Sequence, residues 1–143
     1  MKKGNTLVEA IISLSIILIA LSISVQIIAI TSKSINLRRN KEKANRVAYA
    51  IENEMKYNVS FDNLKDVFDK GNLYLKYKDD IIESLLTTPL TDLESGNNII
   101  IEKVIDNYIE EGYKISTFKI KILDLEGGIL AEREFIKSYW MDI

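Results

Sequence analysis

From Ala10 to Ser32 the chain runs for 23 residues without a charge, and a single carboxylate, Glu9, stands at the head of that run. As an α-helix the run is about 35 Å long, enough to cross a hydrocarbon core of about 30 Å. A helix apolar on every side cannot be the half-wetted wall of a small water-soluble domain. A cleaved secretory signal has a shorter apolar core, about 7–15 residues, followed by a small-x-small cut. Here the run passes through Gln26 and Thr31 into a charged helical pattern. It is expected to remain as an anchor.

Helical spacing continues beyond it. Ala44, Val47, Ala48, Ile51 and Met55 recur at three and four, which puts them on one face. Glycine and proline are absent between Asn5 and Phe61. The pattern predicts one helix from about Asn5 to about Lys56, roughly 75 Å long, apolar all round at first and amphipathic later. The amphipathic half needs a surface to cover.

The rest of the chain is expected to supply it. Phe61, Leu64, Val67 and Phe68 suit a short helix that Gly71-Asn72 ends, and Leu73, Leu75 and Tyr77 suit a short strand. Asp79 and Asp80 are expected to cap a helix running to Leu86 and stopped near Pro89, the only proline. After turn chemistry at residues 92–98, three strands follow: Ile99 to Ile105, Tyr113 to Leu123 and Ile129 to Lys137. In the second of these Ile115, Phe118, Ile120 and Ile122 are read as one face, with an irregularity near Ser116. The connections Glu110-Glu111-Gly112 and Glu126-Gly127-Gly128 are short and contain glycine, so antiparallel pairing is expected. The fold class is therefore α+β: a long N-terminal helix packed on a small antiparallel β-sheet of three or four strands.

Composition narrows the chemistry. The 143 residues carry a formal net charge of −2, too mild to imply a strongly charged partner. Histidine and cysteine are both absent, which removes the commonest bases, nucleophiles and transition-metal ligands. Asp62, Asp66 and Asp69 are read as a solvent face and Asp79-Asp80 with Glu83 as helix capping, while Asp92-x-Glu94 lacks the spaced oxygen ligands of a calcium loop. No enzyme, cofactor or metal is expected. Tyr139-Trp140 is read as strand-end core packing, with an exposed partner contact as the alternative.

The first nine residues carry the sharper signal. Lys2 and Lys3 hold the start of the chain at the cytoplasmic face, and Gly4 offers a protease an unhindered bond. Cleavage before Asn5 would create a new amine one helical turn from Glu9. A charge deep in a bilayer costs about 2.5–3.5 kcal/mol. An amine, the chain's own or a neighbouring subunit's, would neutralise it.

Gly4-Asn5-Thr6-Leu7-Val8-Glu9 resembles the prepilin pattern of the type IV pilin and pseudopilin family: glycine, cut, a variable residue, then Thr-Leu-(Ile/Val)-Glu. The resemblance covers about the first thirty residues. It implies a leader of residues 1–4, a membrane and filament-core half of the helix over 5–32, and an exported globular domain over 33–143. It further implies that Gly4 and Asn5 flank the scissile bond, that Asn5 becomes an N-methylated amino terminus, and that Glu9 is the assembly carboxylate. The implied partners are other pilin subunits, a prepilin peptidase, the assembly platform and the membrane. Lacking the helix-bending proline of many major pilins, the chain fits a minor pilin or pseudopilin better. Two rows of small residues, Ser13, Ala20, Ser24 and Thr31, and Ser15, Ser22 and Ala29, would let neighbouring helices approach closely.

Lys33, Arg38, Arg39, Lys41, Lys43 and Arg46 follow the apolar run, with only Glu42 opposing. The positive-inside rule would keep such a flank in the cytoplasm, whereas the pilin resemblance places it outside. The cluster is a solvated face paired with neighbours' acids, or a contact for anionic envelope polymer, lipid headgroups or nucleic acid. A single-pass receptor that never polymerises is the alternative to a filament subunit.

Overall fold

The computed structural model describes residues 3–109 and 113–141, with side chains described for 6–105, 115–139 and 141. The hairpin turn expected at Glu110-Glu111-Gly112 lies outside the described residues, as do Met1 and Lys2. Two compact units are present, Met1–Arg39 and Asn40–Ile143.

Helix α1 (Lys3–Asn53) begins two residues before the expected start. Its closing part, from Asn40, belongs to the second unit. There the expected face is buried throughout: Ala44, Ala48, Ile51 and Met55 are fully inaccessible, and Val47 nearly so. The alternating small residues Ala44 and Ala48 let the helix backbone come close to what it covers. A π-helical turn, Glu54–Asn58, ends the run, and Val59 continues in extended conformation. Widening the last turn in this way keeps Met55 in the core while the chain leaves the helix axis.

Helix α2 (Phe61–Phe68) starts at Ser60, whose hydroxyl accepts from the Asn63 backbone N–H at 3.3 Å. Phe61, Leu64 and Phe68 are buried and Val67 is half-buried. Strand β1 (Leu73–Leu75) and helix α3 (Ile81–Thr87) follow. Asp80 occupies the N-cap position of α3 but makes no side-chain capping bond. Its φ of −95° and ψ of 10° are not the extended conformation that aims a cap side chain at the first free N–H groups. The expected capping by Asp79 and Asp80 is therefore positional only.

The sheet has four strands in the order β1-β2-β3-β4, with β2 (Ile99–Ile109), β3 (Tyr113–Leu123) and β4 (Ile129–Ser138), every neighbour antiparallel. This is the α+β arrangement expected, at its four-strand limit. Leu75, Ile99, Ile122 and Ala131 stand in one row across the buried face, and Ile101 and Ile120 in the next. Phe118 lies between Phe68, tilted to it at 5.1 Å between ring centroids, and Phe135, stacked on it at 5.6 Å.

The expected irregularity near Ser116 is absent. Ser116, Phe118, Ile120 and Ile122 are buried in strict alternation, and Ile115 is only half-buried, on the opposite face. One register shift lies on the neighbouring strand, between Lys103 and Ile105 opposite Phe118 and Thr117, which makes Val104 the extra residue, and another lies at Ile122 and Leu123 against β4.

Candidate functional site

In the first unit, Gly4 and Asn5 sit within α1, and Glu9 follows Asn5 by one turn on the same helix. The first turn of α1 holds no acidic residue. Glu9 thus lies beyond the turn in which the helix dipole favours a carboxylate. Its side chain is exposed, and no described residue partners it. Lys2 lies outside the described residues, and Lys3 is the first residue of α1.

From Leu7 to Ile30 every large apolar side chain of the helix is at least half exposed. The most apolar stretch has a mean hydropathy of 2.6 and none of it is buried, so the helix is long and apolar enough to cross a membrane. Among the described residues no comparable face occurs in the second unit, where α1 is covered on one side.

At 100° per residue, Ser13, Ala20, Ser24 and Thr31 fall within about 40° of one another. Ser15, Ser22 and Ala29 form a second row about 180° away. Three of the hydroxyls are already used: Ser15 donates to Ile11 O at 2.8 Å, Ser22 to Leu18 O at 2.9 Å and Ser24 to Ala20 O at 2.8 Å. Bonded back to their own helix, these serines ask nothing of a neighbour. What the rows offer is low bulk on two opposite faces, so one helix could be approached from both sides. Glu9 projects within about 40° of the first row.

The basic cluster divides between the units. Lys33, Arg38 and Arg39 belong to the first and are exposed. Lys41, Lys43 and Arg46 belong to the second and are also exposed, with Lys43 within 3.6 Å of an Asp79 carboxylate oxygen.

The second unit contains a polar group that sequence reasoning missed. Lys137, 1% exposed, donates to the backbone carbonyls of Lys56 (3.0 Å) and Val59. These are carbonyls that the end of α1 cannot satisfy itself. Beside it, Glu52 accepts from Lys56 Nζ at 2.7 Å and from Arg133 Nε at 2.6 Å. Burial pulls the Glu52 carboxyl up, but hydrogen bonds and charge from Lys56 and Arg133 outweigh it, and the group lies below the ordinary carboxylate value. The Arg133 guanidinium stands 5.2 Å from the Tyr49 ring centre, and Lys56 stands 5.4 Å from that of Phe135. The signal was present in the strand: Ala131, Arg133, Phe135 and Lys137 alternate, so two cations point to the buried face. They serve the fold, tying the end of α1 to β4.

Tyr139 is 59% exposed, which corrects the expectation that it packs at the strand end; the Trp140 side chain lies outside the described ones. No group of histidine, cysteine and carboxylate side chains able to hold a metal occurs among the described residues. Comparison with protein families, with characterised proteins and with solved structures finds no match to this chain.

Proposed function

We propose that the chain is a minor pilin or pseudopilin: a structural subunit of a type IV pilus, or of a secretion or DNA-uptake pseudopilus. In this reading a prepilin peptidase cuts between Gly4 and Asn5, and Asn5 becomes the methylated amino terminus. The helix holds the subunit in the cytoplasmic membrane with the globular domain outside. The assembly platform then draws it into a filament among other pilin subunits. Its work is packing and recognition, not catalysis.

One observation carries the reading. The motif Gly-Asn-Thr-Leu-Val-Glu heads a helix whose apolar part is bare on all sides and whose later part packs on an antiparallel meander. Each half of that helix needs different surroundings, and a subunit that passes from lipid into a filament core supplies them in turn. The charge of Glu9 is costly in lipid and is relieved by the amine of a docked neighbour, which couples docking to the loss of a penalty.

A second reading, a single-pass receptor that does not polymerise, is favoured by the basic flank. Mass spectrometry of the mature protein separates the two. A chain beginning at Asn5 is expected for the filament subunit. A chain that keeps Lys2 and Lys3, or a globular domain reached by a cytosolic label and not by an external one, would falsify the pilin reading.

A further inference from the structure

The uncharged run ends in three cations, Lys33, Arg38 and Arg39, with no acidic residue from Ala10 through Arg39. All three are exposed on α1 within the first unit. At 100° per residue they are about 140°, 100° and 120° apart, so they spread round the whole circumference of the helix. Along the axis they span about 9 Å. The headgroup zone of a bilayer is about 5–7 Å deep on each side, and long basic side chains extend their reach by lying along the helix.

For the three cations next to the apolar run, this distribution favours one polyanion over another; Lys43 and Arg46, further along α1, fall on the side of Arg39. A nucleic-acid duplex approaches from one side and is met by cations gathered on one face. Single strands are held by aromatic side chains between the cations, and none occurs between Lys33 and Arg46. A helix passing through a membrane is instead surrounded by headgroups at every azimuth. Three cations at near-equal angles, placed directly after the apolar run, match that environment.

We propose that Lys33, Arg38 and Arg39 form a collar that binds the phosphate headgroups of anionic phospholipids where α1 leaves the hydrocarbon. The proposal rests on the anchor role of α1 and not on filament assembly. Neighbouring lipid is thereby selected by charge, each cation adding on the order of fivefold preference for an anionic headgroup over a zwitterionic one. Departure of the helix from the bilayer then requires release of these lipids, so a lipid-dependent hold acts on the subunit.

The test uses the full chain reconstituted into vesicles of equimolar phosphatidylcholine and phosphatidylglycerol. Alkaline washing first reports whether the protein is an integral one. Native mass spectrometry then counts the lipids that remain attached. The expected result is retention in the washed membrane and a preference for phosphatidylglycerol of tenfold or more. That preference should fall to near parity in a Lys33→Gln, Arg38→Gln, Arg39→Gln triple variant that still anchors. Equal retention of both lipids by the unaltered chain overturns the collar while leaving the anchor intact, as does a preference that survives in the variant. Loss of the protein to the wash overturns the anchor and the collar together. Variant-sensitive binding of a DNA duplex without lipid preference assigns the cations to nucleic acid and overturns the collar.

Discussion

Lys137 shows how much one side chain can be asked to do in a small domain. Its ammonium group reaches from β4 to the carbonyls of Lys56 and Val59, where the π-helical turn leaves acceptors without helical donors. Replacing it by methionine keeps the volume and removes the donors. Buried acceptors that lose a charged partner cost about 1.5–3 kcal/mol. Lys137→Met is therefore expected to destabilise the domain by about 2–3 kcal/mol in urea unfolding of the detergent-solubilised chain. Glu52 adds a dependence on acidity. Its carboxyl lies below the ordinary value in the folded state, so its contribution is complete above the unfolded value of about 4.3 and is lost as pH falls through the folded one. Glu94, bonded by Lys76 and Lys78, is held at about 2 and extends the same loss to lower pH. The urea midpoint is expected to fall as pH drops below about 4. In Glu52→Gln the midpoint should start lower at neutral pH and fall less. A midpoint flat between neutral pH and pH 2 would remove this account.

At the scale of elements, the chain between β1 and β2 returns along β1 as an extra extended segment. Lys76 N–H donates to Glu94 O at 2.9 Å, and Gly96 N–H donates to Tyr74 O at 3.3 Å. A Cβ on Gly96 would stand 2.7 Å from the Lys76 Cα, a contact with backbone that no rotamer can relieve. Gly96→Ala is expected to cost about 1–3 kcal/mol, with early amide exchange in β1 marking where the sheet opens. Alanine at no cost would mean that the two segments can part freely. This contact was invisible in the sequence, where residues 92–98 read only as a turn. Helix α1 and the strands were legible because side-chain periodicity is a local property. The misplaced irregularity in β3 had a simple cause: Ile115 drew the assignment of the inner face away from Ser116. A buried serine beside an outward isoleucine cannot be told from hydropathy alone, since the bulge that sets the register belongs to the other strand. Asp80 failed as a cap for a comparable reason. Residue type suggests a cap, but backbone angles decide whether the carboxylate reaches an N–H. Arg133 and Lys137 escape a reading by hydropathy because charged side chains ordinarily lie at the surface.

For the molecule as a whole, the proposed function turns on Glu9, the only charged residue from Asn5 through Ser32. Ser15, Ser22 and Ser24 spend their hydroxyls on their own backbone, and Lys33, Arg38 and Arg39 lie past the apolar run. Glu9 carries a charge that no described residue neutralises, and it is the one charge at the head of the apolar run. A charge costs about 2.5–3.5 kcal/mol at the centre of a membrane helix and less at its head, so relief of Glu9 counts for more the deeper the helix end lies. Removing the acid therefore should not harm membrane insertion and should, if anything, favour it. Glu9→Ala is expected to leave cleavage before Asn5 and membrane retention intact while abolishing recruitment into filaments, read as subunit in the sheared filament fraction against subunit in the membrane fraction. Glu9→Gln separates charge from hydrogen bonding: a neutral amide of the same size should fail nearly as fully if attraction to an amine drives docking. Normal incorporation of both variants would leave the carboxylate without a task and the filament proposal without its coupling.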